Sequence, residues 1–259
     1  MRIRKVTRLH ELARVDRPYV SLRIVFRHAA VLGALASVAT AGSLRAQDAP
    51  YRAGWPDAAA IAAGGVLALL PIPLHLPSGS APCAPCDPAS LWGVDRIAVH
   101  LPDRTADAAS TVLLLGIGGA AGLGSVWGED RPHAVRNAAV FTDAMVWAAA
   151  ADQWLKVVVH RSRPILYTSE APDAANSREN RESFPSGHAE LAFAAATAYV
   201  VIARRRHLPH ATRNAILLYA GAAIMGALRV TAGKHFPTDV LGGALLGSAV
   251  SWTVATVHP

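Results

Sequence analysis

Apolar stretches recur along this chain at 58–70, 108–127, 138–159, 189–203, 215–232 and 240–257, each 13 to 22 residues long. They are rich in Ala, Leu and Val and lack the alternation that marks a half-buried strand. The pattern predicts an all-α bundle of about six apolar helices. Segments 108–127 and 240–257 carry no charge over about the ~20 residues needed to cross a bilayer, so the bundle is expected to be transmembrane. Segment 138–159 differs, because it contains Asp143, Asp152 and Lys156, which must face protein or water. Gly118 and Gly122, and again Gly243 and Gly247, have the spacing that lets helices approach closely.

The formal net charge of +7 invites a nucleic-acid partner, but its location argues against one. Residues 1–46 hold nine Lys/Arg against two Asp/Glu, which leaves sixteen of each in the rest of the chain. That leader combines a basic start, an apolar run over 29–41 and small residues suited to cleavage, so it reads as a signal peptide or an N-terminal anchor. Residues 47–259 then form one helical domain. Arg204, Arg205, Arg206 and Arg213 make the densest basic cluster beyond the leader. The positive-inside tendency puts this turn in the cytoplasm, and the opposite helix ends towards the periplasm or exterior of a bacterial-type cell membrane. A soluble periplasmic bundle is the alternative. If all six segments cross and the site faces outward, segment 58–70 starts in the cytoplasm, which conflicts with a cleaved leader. Its thirteen residues before Pro71 and Pro73 suit incomplete crossing. Cys83 and Cys86 lie in a Pro-rich loop and read as a local disulfide of an exported chain rather than a redox or zinc site.

Three clusters between residues 156 and 239 carry the chemistry. In the first, Lys156 precedes Arg163 and Pro164, and Asp152 lies one turn before Lys156 on the same face. In the second, Pro185, Ser186, Gly187 and His188 open the helix of segment 189–203. Ser186 is placed as an N-cap, and Gly187 lets backbone amides approach an anion at the helix N-terminus. In the third, Arg229, His235 and Asp239 lie between the last two apolar segments, with Asp239 four residues from the ring it is expected to orient. Each cluster taken alone is accounted for by ordinary capping and helix-end charges.

Together the clusters resemble the type 2 phosphatidic acid phosphatase and haloperoxidase superfamily, whose signature runs KxxxxxxRP, PSGH, SRxxxxxHxxxD. The first two elements are matched in full, whereas the third has Leu228 in place of the serine before Arg229. The resemblance implies that His235 attacks phosphorus, Asp239 orients it, and His188 protonates the leaving oxygen. It further implies that Lys156, Arg163 and Arg229, with Ser186 and the Gly187 amide, hold the phosphate oxygens. Arg161 is placed either with them or on the surface. The activity implied is hydrolysis of a phosphate monoester or diphosphate on a lipid or a small ester, at a membrane, through a phosphohistidine. No metal or other cofactor is implied, because three cations and a helix N-terminus supply the positive charge. The alternatives are a vanadium-dependent haloperoxidase and a lipid-phosphate binding or transport protein. A metal-dependent enzyme is disfavoured, because the surrounding cations would repel a divalent ion.

Overall fold

The computed structural model describes residues 51–258, and the leader expected over 1–46 lies outside the described residues. Six long helices account for most of the described chain: α1 (Trp55–Leu69), α2 (Arg104–Val126), α3 (Arg131–Val159), α4 (Gly187–Arg205), α5 (Ala211–Thr231) and α6 (Pro237–Val257). A one-turn helix, Ala171–Ala174, and four short 3-10 turns lie in the connections. Among the described residues there is no strand.

The six expected helices all form, but several begin earlier than their apolar runs because polar residues build the first turn. Asp103 caps α2 by accepting from the amides of Thr105 (2.8 Å) and Ala106 (3.1 Å). Asp130 caps α3 through the His133 amide at 3.0 Å. Pro237 opens α6 at a position where its missing N–H costs nothing, and Asp239 reaches back to the Phe236 amide at 2.9 Å. Helix α3 stops at His160, which takes the left-handed conformation at φ 50°, before Pro164 could have broken it.

Helix α4 sits in the middle of the bundle and packs on α2, α3, α5 and α6, while α1 lies against α3. Its buried positions are mostly alanine, including Ala189, Ala192, Ala195, Ala196 and Ala203, so its neighbours come close on several sides. The closest approach is to α6. A Cβ at Gly243 would lie 2.5 Å from the Ser186 carbonyl oxygen, and one at Gly247 would run into the Glu190 carbonyl. This glycine pair therefore packs helices, as its spacing predicts. The other pair is split, since Gly122 faces the Phe141 ring while Gly118 faces open space.

Helices α2, α5 and α6 are long and apolar enough to cross a membrane. The 21 residues of α5 and of α6 span ~31 Å, which matches a hydrocarbon core of ~30 Å. Their outward faces carry exposed Leu115, Leu123, Ile216, Leu217, Leu241 and Leu245, a surface suited to lipid. Helix α1, at 15 residues and ~22 Å, is too short to span such a core alone. It starts at the end of the bundle that holds the 204–213 turn. There Asp57 pairs with His258 at 3.0 Å, and Arg205 lies over the Tyr51 ring at 4.0 Å. At the other end, Cys83 and Cys86 form the local disulfide, beside Leu166 and Ala171.

Candidate active site

The three sequence clusters meet at the end of the bundle opposite the 204–213 turn, because α3 ends there and α4 and α6 begin there. Lys156 and Asp152, both buried on the last turns of α3, form an ion pair at 2.7 Å. Gly187 lies directly against that pair. A Cβ on it would stand 3.0 Å from both Lys156 Nζ and Asp152 Oδ2, so glycine is what admits the ammonium to the N-terminus of α4. Ser186 occupies the N-cap position but does not cap with its side chain, contrary to the sequence expectation. Its amide donates to the Asp239 carbonyl at 3.0 Å, which ties the start of α4 to that of α6.

His235 is held in the connection between α5 and α6 and is 2% exposed. Its Nδ1 donates to the Ser183 carbonyl at 2.8 Å, a bond that requires the proton on Nδ1 and leaves the Nε2 lone pair free. Asp239 does not bond the ring as expected, since its Oδ2 stands 3.8 Å from Nδ1. It accepts instead from Ser183 Oγ at 2.6 Å and from the Phe236 amide. Ser183 is therefore the piece between them, with its hydroxyl on Asp239 and its carbonyl on His235. Burial foremost, then the Arg163, Arg229 and Lys156 cations, push the His235 imidazole well below its usual pKa, partly opposed by the Ser183 carbonyl. The neutral ring is the form that can attack.

Arg161 serves neither the phosphate groups nor the surface. Its guanidinium bridges two buried carboxylates, bonding Asp239 Oδ1 through one nitrogen and Asp95 Oδ2 at 2.8 Å through the other. It also donates to Thr238 Oγ1 at 2.7 Å and lies 4.4 Å over the Phe236 ring. Asp95 completes the network by accepting from the Thr238 amide (3.1 Å) and hydroxyl (2.8 Å). The start of α6 is thus bolted to two connections distant in sequence.

Around His235 stand two more cations. Arg163 pairs with Glu179, while Arg229 pairs with Asp107 and takes the Ser110 hydroxyl at 2.9 Å. Ser110 of α2 so places a hydroxyl beside Arg229, where Leu228 lacks the one in the family pattern. His188, half-buried on the first turn of α4, has Nε2 3.2 Å from Thr111 Oγ1. Among the described residues, Arg163 Nε, Arg229 Nε and Ser186 Oγ are buried without a hydrogen-bond partner. Three such groups, each costing ~1–3 kcal/mol if left unpaired, match what a tetrahedral oxyanion would take up.

A cleft of about 550 Å³ adjoins this network, with Arg161, Asp95 and Thr238 at its polar wall. Trp92, Phe184 and Leu245 form its apolar wall. Sequence reasoning missed Asp95, Asp107, Ser110, Thr111, Glu179 and Ser183. Most of their polar contacts join residues between 52 and 143 positions apart, which no local motif reveals.

The PAP2 superfamily model matches residues 137–259, which include all three clusters. Phosphatidylglycerophosphatase B of Bacillus subtilis (strain 168) is 45% identical over 75 residues, covering 27% of this chain and 36% of that relative. The match thus spans about a third of the relative's length. Among solved structures, the first transmembrane PAP2 type phosphatidylglycerolphosphate phosphatase from Bacillus subtilis aligns with a TM-score of 0.42 and 20% identity. That alignment covers 78% of this chain and 94% of the other.

Proposed function

Because the chain belongs to the PAP2 superfamily, we propose that it is a phosphoric ester hydrolase that removes the terminal phosphate of a phosphorylated lipid. The observation that carries this reading is the set of unpartnered donors on Arg163, Arg229 and Ser186 gathered around a neutral His235. His235 Nε2 attacks phosphorus, a P–N bond forms, and the bond from phosphorus to the leaving oxygen breaks. His188 supplies a proton to that oxygen. It then accepts one from water, whose oxygen displaces His235 and releases inorganic phosphate. The charge that develops on the ring is met by the Ser183 carbonyl and by Asp239. Lys156, Arg163, Arg229, Ser186 and the Gly187 amide hold the equatorial oxygens, so the chain's own groups supply the charge stabilisation.

A lipid substrate is supported by the cleft beside Arg161, whose apolar wall continues onto exposed Leu241 and Leu245 of α6. In this reading the catalytic domain is 47–259, and its site faces the exterior because the basic 204–213 turn lies at the other end. The start of α1 shares that other end, so residues 1–46 stay attached as an anchor rather than leaving as a cleaved signal peptide.

The test is phosphate release by the purified chain from phosphatidylglycerol phosphate, phosphatidic acid and p-nitrophenyl phosphate, with a chelator present and with vanadate as inhibitor. The expected result is chelator-resistant, vanadate-sensitive release that is faster from a lipid ester than from the soluble one. Absence of release from every ester, or loss in chelator restored by one divalent metal, overturns the proposal.

A further inference from the structure

A second cavity, of about 360 Å³, opens between α4, α5 and α6 at the end of the bundle remote from His235. Arg204 is sixteen residues from His188 along α4, roughly 24 Å away, so this cavity is separate from the catalytic one. Its lining includes Arg204 and Arg205 and no carboxylate. Arg205 is committed to the protein, stacked over Tyr51 and donating to the His258 carbonyl at 2.9 Å. Arg204 is exposed at the rim. Further in, Thr197 Oγ1 and Tyr219 OH share a hydrogen bond of 2.8 Å and present hydroxyls to the same space.

The remaining wall is apolar, with Val200, Val201 and Ala255 beside Trp252, which is 39% exposed near the end of α6. Two of the three helices that form the cavity, α5 and α6, are long and apolar enough to cross a membrane, so its walls belong to helices suited to contact with acyl chains. A tryptophan at the end of such a helix is where an interfacial ring belongs. A cationic rim, hydroxyls and an apolar wall on the lipid side match an anion attached to a hydrocarbon chain. A free anion would leave the apolar wall unused. The chain's own residues 1–46, with nine Lys/Arg and two Asp/Glu, have the wrong charge for an arginine-lined cavity.

We propose that this cavity binds the headgroup of an anionic phospholipid, with its phosphodiester on Arg204 and its first acyl carbons against Val201 and Trp252. The volume is within the ~300–1,000 Å³ of small-molecule sites and takes a headgroup with the top of one chain.

The test uses the full chain in detergent, probed with dioleoylphosphatidylglycerol, dioleoylphosphatidylcholine or inorganic phosphate, and read by native mass spectrometry and thermal melting. Phosphatidylglycerol should stay bound and raise the melting temperature and phosphatidylcholine should not, while any stabilisation by inorganic phosphate, which the catalytic donors also take, should be the same in wild type and Arg204→Glu. Arg204→Glu should weaken phosphatidylglycerol binding at least about tenfold while p-nitrophenyl phosphate hydrolysis is unchanged. A benzoylphenylalanine introduced at Val201 should cross-link to lipid, a readout that does not depend on the charge variant folding. Equal retention of the two lipids overturns the proposal, as does full binding by Arg204→Glu. Stabilisation by inorganic phosphate that is lost in Arg204→Glu, or a Val201 cross-link to residues 1–50 or to a second chain, overturns it as well.

Discussion

Replacing Arg161 by Met keeps a similar side-chain volume over the Phe236 ring but removes the charge between Asp95 and Asp239. Those carboxylates are 1% and 0% exposed, and both depend on the one guanidinium. Removing one partner of a buried ion pair costs ~3–5 kcal/mol. The lower end applies here for two reasons. The Arg161 side chain is 23% exposed, so solvent already screens part of the attraction. Each carboxylate also keeps other donors, namely Thr238 for Asp95, and Ser183 with the Phe236 amide for Asp239. A loss of ~3 kcal/mol in a chain of this size lowers Tm by roughly 6–12 °C. Turnover should fall as well, because Asp239 and Ser183 position His235. Adding Asp95→Asn removes one of the two uncompensated charges and should recover part of the loss, with a coupling of ~1–2 kcal/mol in a double-mutant cycle. Thermal melting in detergent measures all three variants. An unchanged Tm for Arg161→Met, or Asp95→Asn and Arg161→Met losses that simply add, would refute the bridging role.

Other outcomes follow from the same geometry. Gly247→Ala places a methyl against the Glu190 backbone and should cost ~1–3 kcal/mol, outweighing a helix-propensity gain of ~1 kcal/mol, whereas Gly118→Ala faces open space and should not destabilise; paired melting curves check both. His188→Ala should lower turnover of alkyl phosphates by about 10²–10⁴-fold but spare aryl esters whose leaving oxygen needs little protonation, and equal losses on both would contradict the acid role. With Cys83 and Cys86 changed to Ser, an impermeant thiol reagent applied to intact cells should label Asn176→Cys and not His207→Cys. The reverse pattern would overturn the outward-facing site, and labelling of both in a detergent-free soluble fraction would indicate a soluble bundle.

The helices were legible because a lipid-facing or buried helix needs an unbroken apolar run, and little else in this composition provides one. Their starts were less so. Asp103, Arg104 and Asp107 read as loop by hydropathy, yet Asp103 caps α2 and Asp107 holds Arg229. In the site, Lys156, Arg163, His188, Arg229 and His235 were each visible as motif members, since their spacing follows from where helices begin and end. The groups that hold them were not visible. Asp95 and Ser183 act through contacts that exist only once α6 has docked, and Ser183 reaches His235 partly through its carbonyl, which every residue possesses. Arg161 shows the limit well. Its neighbours along the chain suggested a phosphate ligand or a surface residue, but its guanidinium faces two buried carboxylates that neutralise it.

The central claim is a covalent phosphohistidine at His235, and rapid quenching with radiolabelled substrate followed by peptide mapping tests it most directly. Wild type should yield an alkali-stable, acid-labile label on the peptide containing His235. With an aryl ester, His188→Ala should accumulate more of it, because the attacking water then lacks its base, and His235→Ala should give none while remaining folded. Label on any other residue, or single-step transfer to water with inversion at phosphorus, would contradict the account.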